Sequence, residues 1–187
     1  THSIVPAFSC VKMPDVPFEL SALIGCGVTT GVGAVLNKAK VTAGDTVAIF
    51  GGGGVGLSTV MGAVLAGASR IVVVDRNPDK DAMCRSFGAT DVVITDDLND
   101  AVSAIREATD GRGVDYVFDA VGLAAIESVL LDCLAPAGTA VLVGIPSTGT
   151  AFEVDAAEFI RREKVLTGSI FGSADTTRDF VDYAQRY

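Results

Sequence analysis

From residue 46 onward, short apolar runs alternate with longer stretches of mixed polarity. The runs are 46–50, 70–75, 91–94, 114–119, 139–145 and 164–171. They are rich in Val and Ile and show little polar alternation, the pattern of strands buried on both faces of a parallel sheet. Stretches of helical character separate them. These are 55–66, a segment opened by Asn77-Pro78-Asp79 and ended by Gly88, the amphipathic 98–108, 124–134 closed by Pro136 and Gly138, and 156–162. Asn77 suits an N-cap and Pro78 a first helical turn. Residues 176–187 begin one more helix and meet no Gly, Asn or Pro. Ahead of the first strand, residues 1–19 lack periodicity and carry Pro6, Pro14 and Pro17. They predict an extended lead-in, with 20–187 as the domain. A helix from Phe18 or Glu19 to about Lys38 follows, and Gly44-Asp45 turns the chain into the first strand.

Six strands alternating with helices predict an α/β fold with a doubly wound, six-stranded parallel sheet of the Rossmann kind. Right-handed crossovers favour the strand order 3-2-1-4-5-6. Ligands in such sheets gather at the carboxyl ends of the strands, which points to residues 51–56, 75–76, 119–122, 143–146 and 169–172.

The first strand end carries the clearest chemistry. Gly51, Gly53 and Gly56 have G-x-G-x-x-G spacing between a strand and a helix, and Asp75 closes the second strand about 20 residues on. Gly51 permits a tight turn, Gly53 a close approach of a pyrophosphate, and Gly56 close helix–sheet packing. Gly54 and Val55 open the helix, whose first amides and dipole favour phosphate. Gly52 and Gly54 make the alignment redundant, and a flexible glycine linker is the competing reading. Asp75 can accept hydrogen bonds from the ribose hydroxyls and would repel a 2′-phosphate, favouring NAD over NADP. Arg76 pulls the other way, because a guanidinium can accept a phosphate. Asp75 could instead be a turn residue that ends a strand. Lys80 faces either the same ribose or solvent.

Composition narrows the field. The chain of 187 residues is 49% hydrophobic, with 21 glycines and no Trp, enough for one sizeable core. A formal net charge of −9 without a basic stripe argues against nucleic acid as a partner. No apolar run is seen to reach the ~18 residues of a membrane span, and no secretory signal is legible. A cytoplasmic protein without membrane partners is expected. Cys10, Cys26, Cys84 and Cys133 are scattered without a C-x-x-C pair, and His2 is the single histidine. That disfavours both a disulfide scaffold and a metal site built within the chain. On its own, Cys26 between Gly25 and Gly27 reads as a small buried hydrophobe.

Taken together, Leu23–Gly33, 39–41, Val47–Met61, Ala66–Ile71, Val74–Lys80, Phe87–Thr90, 113–115 and Gly168–Gly172 resemble zinc-dependent medium-chain alcohol dehydrogenases across nearly the whole chain. The flavour is that of the class III formaldehyde and aryl-alcohol dehydrogenases. The resemblance implies NAD and zinc as cofactors, a small alcohol or aldehyde as substrate, hydride transfer to nicotinamide, and a homo-oligomer joined near the sixth strand. It also implies that Cys26 is a ligand position of the catalytic zinc and that Thr30 lines the nicotinamide side. Ala120, Val121, Val143, Gly144, Ile145, Ser169, Ile170 and Phe171 would contact the adenosine, ribose or nicotinamide, several through backbone groups. The family's N-terminal catalytic domain, with its other zinc ligands and proton relay, has no counterpart in these residues. The chain therefore reads as the cofactor-binding part of such an enzyme, binding NAD(H) without turnover. Two other readings are a stand-alone NAD-sensing module without chemistry and a methyltransferase with a glycine-rich first loop.

Overall fold

The computed structural model describes residues 4–7 and 10–173. The helix expected over 176–187 lies outside them. Helix α1 spans Phe18–Ala39, followed by β1 (Thr46–Phe50), α2 (Gly54–Ala66) and β2 (Arg70–Asp75). A 3-10 turn, Pro78–Lys80, leads into α3 (Asp81–Ser86), then β3 (Asp91–Ile94), α4 (Leu98–Glu107) and β4 (Val114–Asp119). Two short helices, α5 (Ala124–Glu127) and α6 (Leu130–Cys133), precede β5 (Leu134–Leu142), α7 (Ala156–Arg161) and β6 (Val165–Gly168).

The strands form one parallel sheet in the order β3-β2-β1-β4-β5-β6, as the sequence pattern predicts. Alternate side chains feed two cores. Val47, Ile49, Ile71, Val73, Phe118 and Val141 pack on the α1–α2 side. Ala48, Phe50, Val72, Val74, Val117 and Ala140 pack on the α4–α6 side. This two-sided burial is why the runs lack polar alternation. At the base of the sheet the Asp115 carboxylate accepts from the Thr46 amide (2.9 Å), the Thr46 hydroxyl (2.8 Å) and Arg112 (2.7 Å). Burial alone would push its pKa up, but these three bonds outweigh it and hold the carboxyl below the ordinary value.

Four elements differ from the sequence expectation. β5 begins at Leu134, inside the stretch expected to be helical, and ends at Leu142. Its register with β4 jumps from Val114↔Leu134 to Tyr116↔Thr139. Pro136, which cannot donate to a ladder, sits in the resulting bulge, and Ala137 adopts φ 61° there. The helix over 124–134 is broken at Ser128–Val129, where the Ser128 hydroxyl donates to the Ala125 carbonyl (2.7 Å). β6 is confined to Val165–Gly168, because the chain swings into positive φ at Phe171, Gly172 and Ser173.

The fourth difference is not in the bounds of α1, which match the expected helix, but in its character. Its 22 residues, with a mean hydropathy of 1.5, are long and apolar enough to cross a membrane. This corrects the expectation that no run reaches that length. Its second half is nonetheless core: Gly31, Val32, Gly33, Ala34 and Val35 are buried. Two π-helical stretches, Ile24–Val28 and Ala34–Ala39, widen its turns. The Thr29 hydroxyl bonds back to the Ile24 carbonyl at 2.6 Å.

Candidate functional site

Parallel register lines up the strand ends. Phe50 pairs with Val74 and Asp119, Asp119 with Leu142, and Leu142 with Gly168. The residues after each strand therefore share one edge, and nearly all the sequence-selected positions fall there.

The turn after β1 is built on contacts that only glycine permits. Gly51 has φ 99°. A Cβ at Gly56 would lie 1.7 Å from the Gly51 carbonyl oxygen, so the helix presses directly on the turn. At Gly53 and Gly54, by contrast, an added Cβ would meet nothing within 4 Å. The turn is tight behind and open in front. α2 starts at Gly54 without a side-chain cap, so its first amides, with Val55 among them, have no intrahelical acceptor and face the open side.

Asp75 stands beside this turn. Its Oδ2 accepts from the Gly52 amide (2.7 Å) and its Oδ1 from the Asn77 amide (2.9 Å). Gly52 is a glycine for space: a Cβ there would meet the Cys84 sulfur at 2.8 Å and Asp75 Oδ2 at 3.3 Å. Burial, then the Asp75 charge, pushes the Cys84 thiol up. Lys80 packs its stem against the same point, its Cβ 3.5 Å from that added Cβ. It is not among the residues lining the adjacent cleft.

That cleft has a volume of about 360 Å³. Phe50 and Val74, 1% and 5% exposed, form its floor. Leu98, Val121, Leu123, Ala125 and Ile126 make its apolar wall, while Gly51, Asp75, Arg76, Thr95 and Asp96 complete it. The structure thus brings Gly51, Asp75, Arg76 and Val121 together. It adds Thr95, Asp96, Leu98 and the start of α5, which the sequence reading left out. The rule that ligands gather at strand ends covers the end of β3 as well and could have found them.

The other selected residues cluster further along the edge. Gly122 and Gly144 approach so closely that a Cβ on Gly144 would come within 2.2 Å of the Gly122 nitrogen. Asp119 is fully buried beneath them, accepting from the Val121 (2.9 Å) and Gly122 (3.0 Å) amides. Val143 is buried and Ala120 half-buried, whereas Ile145 is 78% exposed. Past β6, the Ser169 amide donates to the Leu142 carbonyl (2.8 Å), and the Ser169 hydroxyl is buried without a partner among the described residues. Ile170 and Phe171 are exposed. Gly172 seats this turn on α1: a Cβ there would meet the Thr29 carbonyl oxygen at 2.1 Å, and Asn37 donates to the Gly172 carbonyl (3.2 Å). Thr30, half-buried on α1, stands between Thr29, which meets Gly172, and Gly31, which meets Val55 at the start of α2.

Cys26 is exposed in the first π-helical stretch, and added Cβ atoms at Gly25 and Gly27 would meet nothing. The expectation of a buried small hydrophobe fails, since this face of α1 is uncovered. Among the described residues no three His, Cys, Asp or Glu side chains come together to hold a metal. A zinc site normally takes three protein ligands plus water or a fourth ligand, so Cys26 alone does not make one.

A family profile described as zinc-binding dehydrogenase matches residues 54–186. The class-3 alcohol dehydrogenase of Myxine glutinosa is 47% identical over 142 residues, 75% of this chain and 38% of that protein. A probable S-(hydroxymethyl)glutathione dehydrogenase 1 of Schizosaccharomyces pombe is 37% identical over 188 residues, covering all of this chain and 49% of its own. The chain thus spans less than half the length of these two relatives. Among solved structures, the benzyl alcohol dehydrogenase of Acinetobacter calcoaceticus superposes with a TM-score of 0.89 at 33% identity, over 94% of this chain and 48% of its own. A putative zinc-binding dehydrogenase of Sinorhizobium meliloti 1021, bound to NADP, does so with a TM-score of 0.77 at 26% identity, over 91% and 51%.

Proposed function

The chain belongs to the zinc-binding dehydrogenase family, and from that premise we propose that it is the NAD(H)-binding part of an alcohol dehydrogenase acting on a small alcohol or aldehyde. One observation carries the reading. A carboxylate fixed by two backbone amides stands between a glycine turn that is open in front and a cleft with an apolar wall.

The residues present fit a dinucleotide. The open amides at the start of α2 suit a pyrophosphate. Asp75 keeps lone pairs free of Gly52 and Asn77 for a ribose diol. The apolar cleft suits a base, and its size falls in the usual range for ligand pockets, roughly 300–1,000 Å³. Thr30, Val143–Ile145 and Ser169–Phe171 would border the nicotinamide end, with exposed apolar side chains and strand-end backbone groups. When bound, the nicotinamide supplies hydride acceptance and donation. What the chain itself supplies is binding and orientation. Zinc is a different case: one exposed thiolate does not fit a catalytic site. Cys26 is carried forward only as a single ligand position of the whole enzyme, and the chain by itself is expected to show no turnover. The family match disfavours the stand-alone sensing module and the methyltransferase.

Asp75 sets the preference for NAD. A 2′-phosphate would meet this carboxylate, with Asp96 on the same cleft and Arg76 as the one cation lining it among the described residues. Titration of the chain with NADH and NADPH, followed by nicotinamide fluorescence, tests the reading. NADH is expected to bind at least ~10-fold tighter, with Asp75→Asn erasing that margin; lost bonds to a charged group are worth about 1.5–3 kcal/mol. Tighter NADPH binding by the unmutated chain would overturn the assignment of Asp75. Alcohol-dependent NADH formation by the chain alone would overturn its role as a binding part only.

A further inference from the structure

The cleft beside Asp75 has an uneven rim. Of its polar side chains, Asp75 is engaged by the Gly52 and Asn77 amides. The Thr95 hydroxyl is engaged by its neighbour, accepting from the Asp97 amide at 3.0 Å. Asp96 is exposed, and among the described residues it has no hydrogen bond or ion pair. Arg76 lines the same cleft, yet no ion pair joins the two. β3 pairs with β2 so that Ile94 lies opposite Asp75, and the Thr95 amide donates to the Asp75 carbonyl (3.0 Å). Asp96 is therefore one strand further from the glycine turn than Asp75, a step of about 4.8 Å across the sheet.

A dinucleotide laid along this edge has its pyrophosphate at the turn and its ribose at Asp75. Its base then extends over Phe50 and Val74 toward the end of β3. The polar group waiting there is an acceptor with no donor. An ionised carboxylate can only accept. Adenine turns a donor, its exocyclic amine, outward from the ring, whereas hypoxanthine carries a carbonyl oxygen at that position.

We propose that Asp96 reads the base, accepting from the exocyclic amine of adenine and rejecting dinucleotides whose purine carries an oxygen there. The proposal rests on the assignment of this cleft to a nicotinamide–adenine dinucleotide. It adds a specificity determinant from the end of β3, the strand end that the sequence reading left unassigned. A carboxylate paired with the amine gives a charge-assisted bond, whereas the same carboxylate facing the hypoxanthine carbonyl sets acceptor against acceptor, and the ring donor N1–H lies one position further round.

The test compares NADH with reduced nicotinamide hypoxanthine dinucleotide, both titrated into the 187-residue chain, its Asp96→Asn variant and its Asp96→Ala variant. NADH is expected to bind the unmutated chain ~10-fold tighter or more, the scale of one charge-assisted bond. In Asp96→Asn, whose amide can turn either a donor or an acceptor to the base, the ratio should fall to within about twofold. Asp96→Ala should flatten the ratio in the same way by weakening NADH. Asp96 is exposed and bonded to nothing described, so both variants are expected to fold, which circular dichroism would verify. Tight NADH binding with a ratio already near one, or a ratio unchanged in both variants, would overturn the role of Asp96 while leaving the cofactor assignment standing. Failure of both dinucleotides to bind would remove the assignment and this inference together.

Discussion

Asp119 at the end of β4 and Glu127 on α5 show how residue chemistry enters the site from below. Burial raises the pKa of Asp119, and the amides of Gly122 and Val121 only partly offset it. Glu127, 3% exposed on α5, is raised first by burial and then by the Asp119 charge. A carboxyl with a raised folded-state pKa ionises first in the unfolded chain. Its stabilising contribution is complete below the ordinary glutamate value of 4.5 and is lost as pH rises through the folded value. Glu127→Gln removes that loss. The variant should melt higher than the unmutated chain near neutral pH, and the gap should close as pH falls below about 4. Melting curves across this range check it; a gap independent of pH would show that the side chain's charge is irrelevant.

At the scale of elements, the packing of α1 on α2 positions the glycine turn proposed to hold the pyrophosphate. A Cβ at Gly31 would lie 2.5 Å from the Val55 carbonyl oxygen and 2.6 Å from the Thr59 nitrogen, both backbone atoms of α2. Gly31→Ala must push the helices apart. A cost of about 1–3 kcal/mol is expected from overpacking, together with weaker NADH binding, because the displaced end of α2 carries the open amides. Urea unfolding and NADH titration read the two effects; unaltered binding with lowered stability would show that the turn does not depend on this contact. The same helices show what the sequence made legible. The strands were legible as apolar runs because both faces of the sheet are buried, and their order followed from right-handed crossovers and the glycine fingerprint after the first strand. The glycine turn and Asp75 were legible because their spacing is a local property. The start of β5 was not, because a bulge around Pro136 depends on its partner strand. Nor was the β3 end of the cleft: Thr95, Asp96 and Leu98 carry no motif and become neighbours of Asp75 only through the register of β3 on β2. Cys26 read as buried because its neighbours are apolar, and nothing in one sequence says which face of a helix stays uncovered.

For the molecule as a whole, the sheet has two edges, β3 and β6. β6 pairs only with β5 among the described strands, and Val165 is 47% exposed on it. An open strand of this kind is a template for another chain. Two copies joined edge to edge would continue the sheet with closed two-fold symmetry, which is the basis for proposing a homo-oligomer. Light scattering over a range of concentrations is expected to show a dimer, and Val165→Lys, which blunts the edge, should shift it toward monomer. A monomer at every concentration would remove the proposal for this chain.

The Asp75 carboxylate, proposed to meet the ribose of the cofactor, is wired to Gly52 and Asn77 as well. Selection therefore cannot tune this position for one property alone. A lineage drifting toward a phosphorylated cofactor would gain little from losing the acid first, since the loop it braces would loosen in the same step. A compensating brace for Gly52 has to arise beforehand or together with that change. Position 75 is thus an epistatic lock, and the order in which substitutions become tolerable is written into the geometry of one side chain.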